Sequence, residues 1–270
     1  MFFHQLLNSV GDNVYNCYIY RSFQCATHIH KGMEWTIVLR GELRAQVDDK
    51  NYVLRAGDSL FVAPYQLHAY EKSDDMLCVI VVFSGAYVES FARLIGNLRP
   101  LTATFSLSER EQAHFLSQIG CETLLKNPIS EHATAVPCSD PLSLKSALYG
   151  VCAAFYAQAQ WTAETSKKRS LVLDCLFYID EHYLSDISLT DAAKALGYDY
   201  DYLSRSIHRM LGVGFKTLLH QYRCEHAQYL IVATQLSMAE IAMNSGFQSI
   251  RSFNRIFKEI TGISPTQLRK

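Results

Sequence analysis

The sequence predicts a two-domain α+β protein, in which a strand-rich N-terminal half precedes an all-helical C-terminal half. Three observations support this division. Short runs of β-branched and aromatic residues, separated by turn residues, fill roughly the first 85 positions, which is typical of a small barrel or sandwich. Helical periodicity then continues to the C-terminus. The last hundred or so residues also contain an internal repeat.

The elements follow one another in a clear order. The runs with the strongest strand composition are residues 14–20, 36–39, 43–47, 60–63 and 78–83. The segments with helical periodicity after them are residues 87–98, 109–125, 144–160 and 171–183. The polar and charged stretch 164–169 is typical of a linker. The predicted domains are therefore residues 1–163 and 170–270.

Composition is that of an ordinary globular protein. Of 270 residues, 49% are hydrophobic and 19% are charged, and neither a membrane-spanning run nor a secretory signal is recognisable. These features predict a cytoplasmic protein without a membrane partner. Eight cysteines without a CxxC pair argue against a zinc ribbon and a disulfide framework, so we expect reduced core cysteines.

Charge is divided unevenly between the two halves. Residues 1–165 hold 12 Lys and Arg against 16 Asp and Glu, which gives −4, whereas residues 166–270 hold 13 against 10, which gives +3. A basic C-terminal half weakly favours a polyanionic partner there.

The internal repeat has an offset of 49 to 50 residues. Each copy begins at a serine, Ser188 or Ser237, which is followed three positions later by an acid, as in a capping box. Each continues through a short helix to a glycine, Gly197 or Gly246, and then to a second amphipathic helix. This is the helix-turn-helix plan, in which the first helix supports a second one that enters the DNA major groove.

The second helix of each copy, at residues 200–211 and 250–260, has two distinct faces. The apolar positions that should face the core are Leu203, Ile207 and Leu211 in the first copy, and Phe253, Ile256, Phe257 and Ile260 in the second. The candidate DNA contacts on the opposite faces are Asp201, Ser204, Arg205 and His208 in the first copy, and Ile250, Arg251, Asn254 and Arg255 in the second. Arg205 and Arg255 are equivalent, which favours double-stranded DNA as a partner over a purely structural repeat.

The C-terminal region resembles the AraC/XylS family of transcription regulators. The resemblance is carried by residues 239–249, by Ser252-Phe-Asn-Arg-Ile-Phe-Lys258 and by Gly262-Ile-Ser-Pro265, with Arg223, Ala227 and Leu230 upstream matching the family's connecting helix. It covers about residues 171–270 and implies two helix-turn-helix subdomains joined by a long helix, here at residues 214–232. Recognition helices would then enter two adjacent major-groove segments. Asp201 is unusual at an exposed recognition position, where it would either accept from cytosine N4 or repel phosphate.

The N-terminal half contains a pattern of histidines and one glutamate. His28, His30 and Glu34, followed by Gly41, resemble the first cupin motif. Residues matching the second motif in part are Gly57, Pro64 and His68, with Gln66 where a glycine is usual. The resemblance implies a jelly-roll cupin-like barrel that senses a ligand, followed by helices that mediate self-association.

The strand pattern indicates how the four side chains would meet. His28 and His30 alternate onto one face of a strand, a turn at residues 31–33 brings Glu34 back on the next strand, and His68 comes from a distant strand of the same barrel. They are candidate ligands for a small-molecule effector or for zinc, iron, manganese, copper or nickel. A metal-free effector pocket, a metal site and a purely structural cluster all remain open.

The predicted function is a ligand-responsive transcription regulator, with a sugar as the expected effector by family analogy. An activator is expected, and a repressor stays open as the alternative. A homodimer is expected, and RNA polymerase is a further candidate partner. No nucleophile–base constellation stands out, which predicts a protein without enzymatic activity. Two alternatives are a cupin metalloenzyme with a helical assembly tail and a DNA-binding regulator whose cupin only dimerises.

Overall fold

The computed structural model describes residues 3–4, 15–73, 75–96, 98–125, 133–137, 140–163 and 171–269. The chain divides into two compact units, of which one runs over residues 12–165 and the other includes residues 166–270. The predicted linker at residues 164–169 and Cys138 lie outside the described residues, so the exact domain limits stay a prediction. None of the described helices combines the length and apolar character needed to cross a bilayer.

The strands lie almost entirely in the N-terminal half. They are β1 (Phe3–His4), β2 (Tyr15–Tyr20), β3 (Phe23–Ile29), β4 (Met33–Arg40), β5 (Glu42–Val47), β6 (Lys50–Arg55), β7 (Asp58–Val62), β8 (His68–Ser73), β9 (Leu77–Phe83), β10 (Leu98–Pro100), β11 (Thr104–Ser106), β12 (Ala133–Ala135) and β13 (Trp161–Ala163). In the unit of residues 12–165, two antiparallel sheets have the orders β3-β8-β5-β6 and β11-β7-β4-β9-β2-β12.

Strand β4 shows why one sheet has two buried faces. Trp35 and Ile37 are buried on the face that packs against the helices of this unit, whereas Val38 belongs to the core between the sheets. Glu34 and Thr36 are also buried, although they are polar. A strand buried on both faces is apolar along most of its length, and its few polar positions therefore require partners.

The helices of this unit pack against the outer face of the sheet that contains β4 and form a second core there, in addition to the core between the sheets. They are α1 (Glu89–Ile95), α2 (Glu109–Gln118), α3 (Cys121–Leu125) and α4 (Pro141–Gln158). The sequence predicts a single helix over residues 109–125, and this prediction is wrong. Gly120 adopts φ +85, in the left-handed region, and separates α2 from α3.

Within residues 171–269 every regular element is a helix. Its helices are α5 (Leu171–His182), α6 (Leu189–Leu196), α7 (Tyr200–Leu211), α8 (Phe215–Ala233), α9 (Met238–Asn244), α10 (Ile250–Thr261) and α11 (Pro265–Leu268). Pairs α6–α7 and α9–α10 are the two helix-turn-helix units. Ser188 and Ser237 both form full capping boxes, since each accepts from the amide three residues on while the acid at that position accepts from the serine amide.

A buried arginine ties the two helix-turn-helix units together. Arg223 of α8 is only 5% exposed, and its guanidinium donates to the carbonyl oxygens of Tyr183 and Ser185, which precede α6, at 2.7 and 2.8 Å. Gly246, in the turn of the second unit, packs against the same segment. The connecting helix, the first unit and the second unit therefore share one contact point.

Candidate metal centre and nucleic-acid interface

Four polar side chains of the sequence pattern converge inside the barrel. His28 lies near the end of β3 directly opposite His68 at the start of β8, so the strand that brings His68 to the cluster is distant in sequence and adjacent in the sheet. His30 follows β3, and Glu34 lies near the start of β4. Residue composition alone did not indicate β8.

The four side chains lie close together and are buried. All four residues are between 1% and 3% exposed, and one ligand atom from each lies within 4.8 Å of the others. Glu34 Oε2 lies 3.4 Å from His30 Nε2 and 3.8 Å from His68 Nε2. Two ligands about 2.1 Å from a tetrahedral metal ion lie about 3.4 Å apart, so the donor set fits a single ion with small adjustments.

Backbone carbonyls orient all three imidazoles. The Nδ1 atoms of His28, His30 and His68 lie 2.9, 2.9 and 2.8 Å from the carbonyl oxygens of Ala26, Gly32 and Gln66, respectively. A carbonyl oxygen can only accept, so a neutral ring that donates to it carries its proton on Nδ1 and keeps a lone pair on Nε2. Histidine ligands of metal ions usually donate their other ring N–H in this way.

The carboxylate of Glu34 is held from its other side. Its Oε1 accepts from the hydroxyl of Tyr70, which in turn lies 3.0 Å from Thr36 Oγ1. Burial alone would raise the pKa of Glu34, but the contacts with His30 and His68 outweigh it and hold that pKa well below its usual value. Glu34 is therefore an anion facing the imidazoles.

Burial favours the neutral form of two of the imidazoles. Burial, assisted by the neighbouring His68, lowers the pKa of His28 to about 3, and burial also lowers the pKa of His30. A neutral imidazole has one N–H, yet in His30 and His68 the Nδ1 atom faces a carbonyl oxygen while the Nε2 atom faces Glu34 Oε2. Whenever such a ring is neutral, one of these two contacts lacks a proton. A cation between Nε2 and Oε2 would supply the missing positive charge.

The two predicted recognition helices present polar faces to solvent. Arg205 and Arg255 are exposed at equivalent positions of α7 and α10. The other candidate contacts are exposed as well, apart from the partly buried Ser204, and they are Asp201, His208, Ile250, Arg251 and Asn254. The predicted apolar stripes face inward, with Ile260 only partly buried.

Comparison with protein-family models decides what these units are. Residues 187–270 match a helix-turn-helix domain, and residues 21–83 match a cupin domain. The chain joins a cupin domain to an AraC-type helix-turn-helix domain. Both resemblances seen in the sequence, and the two-domain α+β fold class, are thereby confirmed.

Relatives cover parts of the chain. An uncharacterised helix-turn-helix-type transcriptional regulator of Staphylococcus aureus is 38% identical over 92 residues, which are 34% of this chain and 12% of that protein. YisR of Bacillus subtilis, also an uncharacterised regulator of that type, is 33% identical over 105 residues, or 39% of this chain and 37% of YisR. The chain thus spans about an eighth of its staphylococcal relative.

One solved domain structure matches a share of this chain that is about as large as the share matched by these two relatives. The C-terminal domain of AraT, a response regulator from Geobacillus stearothermophilus, is 35% identical with a TM-score of 0.36, and the match covers 38% of this chain and 87% of that one.

The two recognition helices of the helix-turn-helix domain differ electrostatically. Asp199, the N-cap of α7, and Asp201 place two acidic side chains at the start of that helix. There they interact favourably with the helix dipole but repel DNA phosphates. The first turn of α10 contains no acid and contains Arg251. In the DNA-free protein Arg255 pairs with Glu259 at 3.1 Å, and both side chains are exposed. DNA would therefore compete with a weak surface ion pair.

Four further side chains are exposed on the same two helices and were not among the predicted contacts. Tyr200 and Tyr202 are 49% and 53% exposed at the start of α7. Arg209 and Lys258 are exposed four residues after Arg205 and three after Arg255. Helical spacing could have identified the latter two, because such positions share one face.

Proposed function

We propose that the chain is a sequence-specific DNA-binding transcription regulator whose activity is controlled by what its cupin domain binds. The observation that carries this proposal is the duplicated helix-turn-helix, with an exposed arginine at the same position of each recognition helix. Arginine is the side chain that most often reads guanine, through paired hydrogen bonds to O6 and N7. A non-enzymatic role is part of the proposal.

The connecting helix sets the spacing of the two recognition helices. Helix α8 has 19 residues, and at 1.5 Å per residue it is about 28 Å long. Successive major-groove segments on one face of B-DNA lie about 34 Å apart. A single chain can therefore place α7 and α10 in two adjacent segments.

In the cupin domain we propose a divalent transition-metal ion held by His28, His30, Glu34 and His68. Their ligand atoms lie within 4.8 Å of one another, which favours an ion over an organic effector between them. When bound, such an ion would supply a positive charge that links the three strands carrying or adjoining its ligands, β3, β4 and β8. An organic effector, a sugar included, would have to bind elsewhere in the domain. Homodimer formation and contact with RNA polymerase remain predictions.

Footprinting tests the two-segment arrangement. On a duplex selected by the full chain from a random-sequence library, we expect protection of two segments centred about 10 base pairs apart per chain. The expectation rests on the separation of α7 and α10 by one continuous helix. Protection of a single segment would show that one of the two units is structural.

Substitution of Arg205 or Arg255 by alanine should weaken binding to the selected duplex by about 1–3 kcal/mol each and relax specificity at one base position. Arg93, an exposed arginine of the other unit, supplies the matched control, and its replacement by alanine should leave binding unchanged. Competition binding with single-base variants of the duplex measures both effects. Equal weakening on every sequence would reveal a phosphate contact, and unchanged binding would contradict the placement of the recognition helices.

A further inference from the structure

The helix-turn-helix domain contains a groove that none of the roles above uses. It has a volume of about 500 Å³ and is bordered by the segment Asp186–Leu189, by Tyr200 and by the first turns of α8. All of its walls belong to the C-terminal unit.

The position of the groove relates it to DNA. Its rim includes the starts of α6 and α7, and in a helix-turn-helix the first helix crosses the phosphate backbone while the recognition helix enters the groove with its N-terminal end. On the other side, the ring of His220 of α8 lines the groove and stacks on Phe247 in the turn of the second helix-turn-helix unit, with centroids 5.9 Å apart. The groove therefore adjoins the first recognition helix at Tyr200 and the second unit at His220.

Two cationic side chains, Lys216 and Arg223, and one acid, Asp186, line the groove among otherwise uncharged residues. Lys216 is exposed, and Arg223 is almost fully buried, with a guanidinium that is also near Asp186. His220 lies one helical turn after Lys216, and its Nδ1 is buried without a hydrogen-bond partner among the described residues. Gly214, the N-cap of α8, supplies no side-chain oxygen to the amides of the first turn.

Burial and nearby charges both act on His220. Burial, followed by the positive charges of Arg223, Lys216 and Arg255 and opposed by Glu259, lowers the pKa of His220 to about 4. Two of these cations, Lys216 and Arg223, line the groove itself, so an anion placed there would be attracted.

We propose that this groove binds a phosphate of the DNA backbone between the two major-groove segments, with Lys216 as the charged contact. The proposal rests on the proposed function and adds to it a sequence-independent anchor at the centre of the bipartite site. Such contacts fix the register of a protein on DNA without reading bases. Arg223 acts as a positioning residue, because it holds the carbonyl oxygens of the segment that forms one wall.

The test compares Lys216→Ala with the wild-type full chain on two probes, the selected duplex and a scrambled duplex of the same composition, over a salt series. Loss of one phosphate contact should reduce the slope of log affinity against log salt by about 0.9, and lower affinity roughly fivefold near 0.15 M salt on both probes. Lys145→Ala, an exposed charge removal in the other unit, should change neither quantity. Lys216→Arg should keep the wild-type slope because the charge remains.

The outcomes separate the alternatives. An unchanged slope for Lys216→Ala, with wild-type specificity intact, would overturn the groove assignment and leave the proposed function standing. A loss confined to the selected duplex would make Lys216 a base contact and also overturn it. If Lys216→Ala abolished stabilisation by inorganic phosphate at constant ionic strength without affecting DNA binding, the groove would be a small-anion site instead. Wild-type protein that bound neither duplex would refute both proposals.

Discussion

Replacing Gly246 by alanine should destabilise the helix-turn-helix domain far more than the same replacement at Gly197. Each glycine lies where the first helix of its helix-turn-helix unit ends, and each adopts the left-handed conformation, with φ +79 at Gly246 and +72 at Gly197. An alanine in that conformation costs about 1 kcal/mol at either position. The surroundings differ, because a Cβ at Gly246 would lie 2.8 Å from the carbonyl oxygen of Tyr183, whereas nothing lies within 4 Å of one at Gly197.

The additional loss of stability at Gly246 comes from its close contact with Tyr183 and Arg223. The Tyr183 carbonyl oxygen accepts from Arg223 Nε, and that nitrogen itself would lie 3.0 Å from the new methyl group. Relief of the overlap must displace a hydrogen bond to a buried charge, which contributes about 1.5–3 kcal/mol. We therefore expect a total loss of about 3 kcal/mol or more for Gly246→Ala and about 1 kcal/mol for Gly197→Ala.

Urea unfolding followed by helical circular dichroism measures the difference between the two variants. Because Gly246 joins the second unit to the segment before α6, the variant should also lose protection of one DNA segment while Gly197→Ala keeps both. Equal stability losses would mean that the segment around Tyr183 yields easily, and that the shared contact does not hold the two units in register.

The helix-turn-helix half was the more predictable part of this fold. Helix α7 has the bounds that the sequence predicts, because its apolar stripe, its N-cap and its terminal glycine are all local signals. The shared contact of Arg223, Tyr183 and Gly246 was not predictable, since residues 40 and 63 positions apart meet there only in the folded unit. Sequence patterns identify elements better than the contacts between them.

In the cupin domain, the candidate metal ligands themselves make their strands hard to predict from residue composition. Residue composition did not indicate β3, β6 or β8, and the strands that carry the buried His28 and His68 were predicted only from the cupin spacing. A histidine in a core position interrupts the apolar alternation on which strand prediction depends. The cluster could be predicted only from its spacing, whereas the carbonyl acceptors and Tyr70, which orient it, depend on strand register.

Purified full-length protein should contain about one divalent transition-metal ion per chain, and removal of that ion should lower its melting temperature. The reason is that a neutral His30 or His68 ring cannot donate both to its backbone carbonyl oxygen and to Glu34 Oε2, whereas a bound cation attracts the Nε2 lone pairs and the carboxylate together. An ion present at about 1,000 times its dissociation constant stabilises the folded state by about 4 kcal/mol. Metal analysis and thermal unfolding, with and without chelator, measure the two quantities.

Three variants locate the ion. His30→Ala should lose bound metal together with the chelator effect, whereas His114→Ala, which removes an exposed histidine of the same unit, should retain both. Tyr70→Phe removes the hydroxyl that holds Glu34 Oε1, and loss of such a partner usually lowers metal affinity by about 10–100-fold. Its ion should therefore remain detectable but be removed at lower chelator concentrations. Protein free of metal after purification without chelator, with a melting temperature that added zinc, iron or manganese does not raise, would contradict the metal centre and return the cluster to a structural or metal-free role.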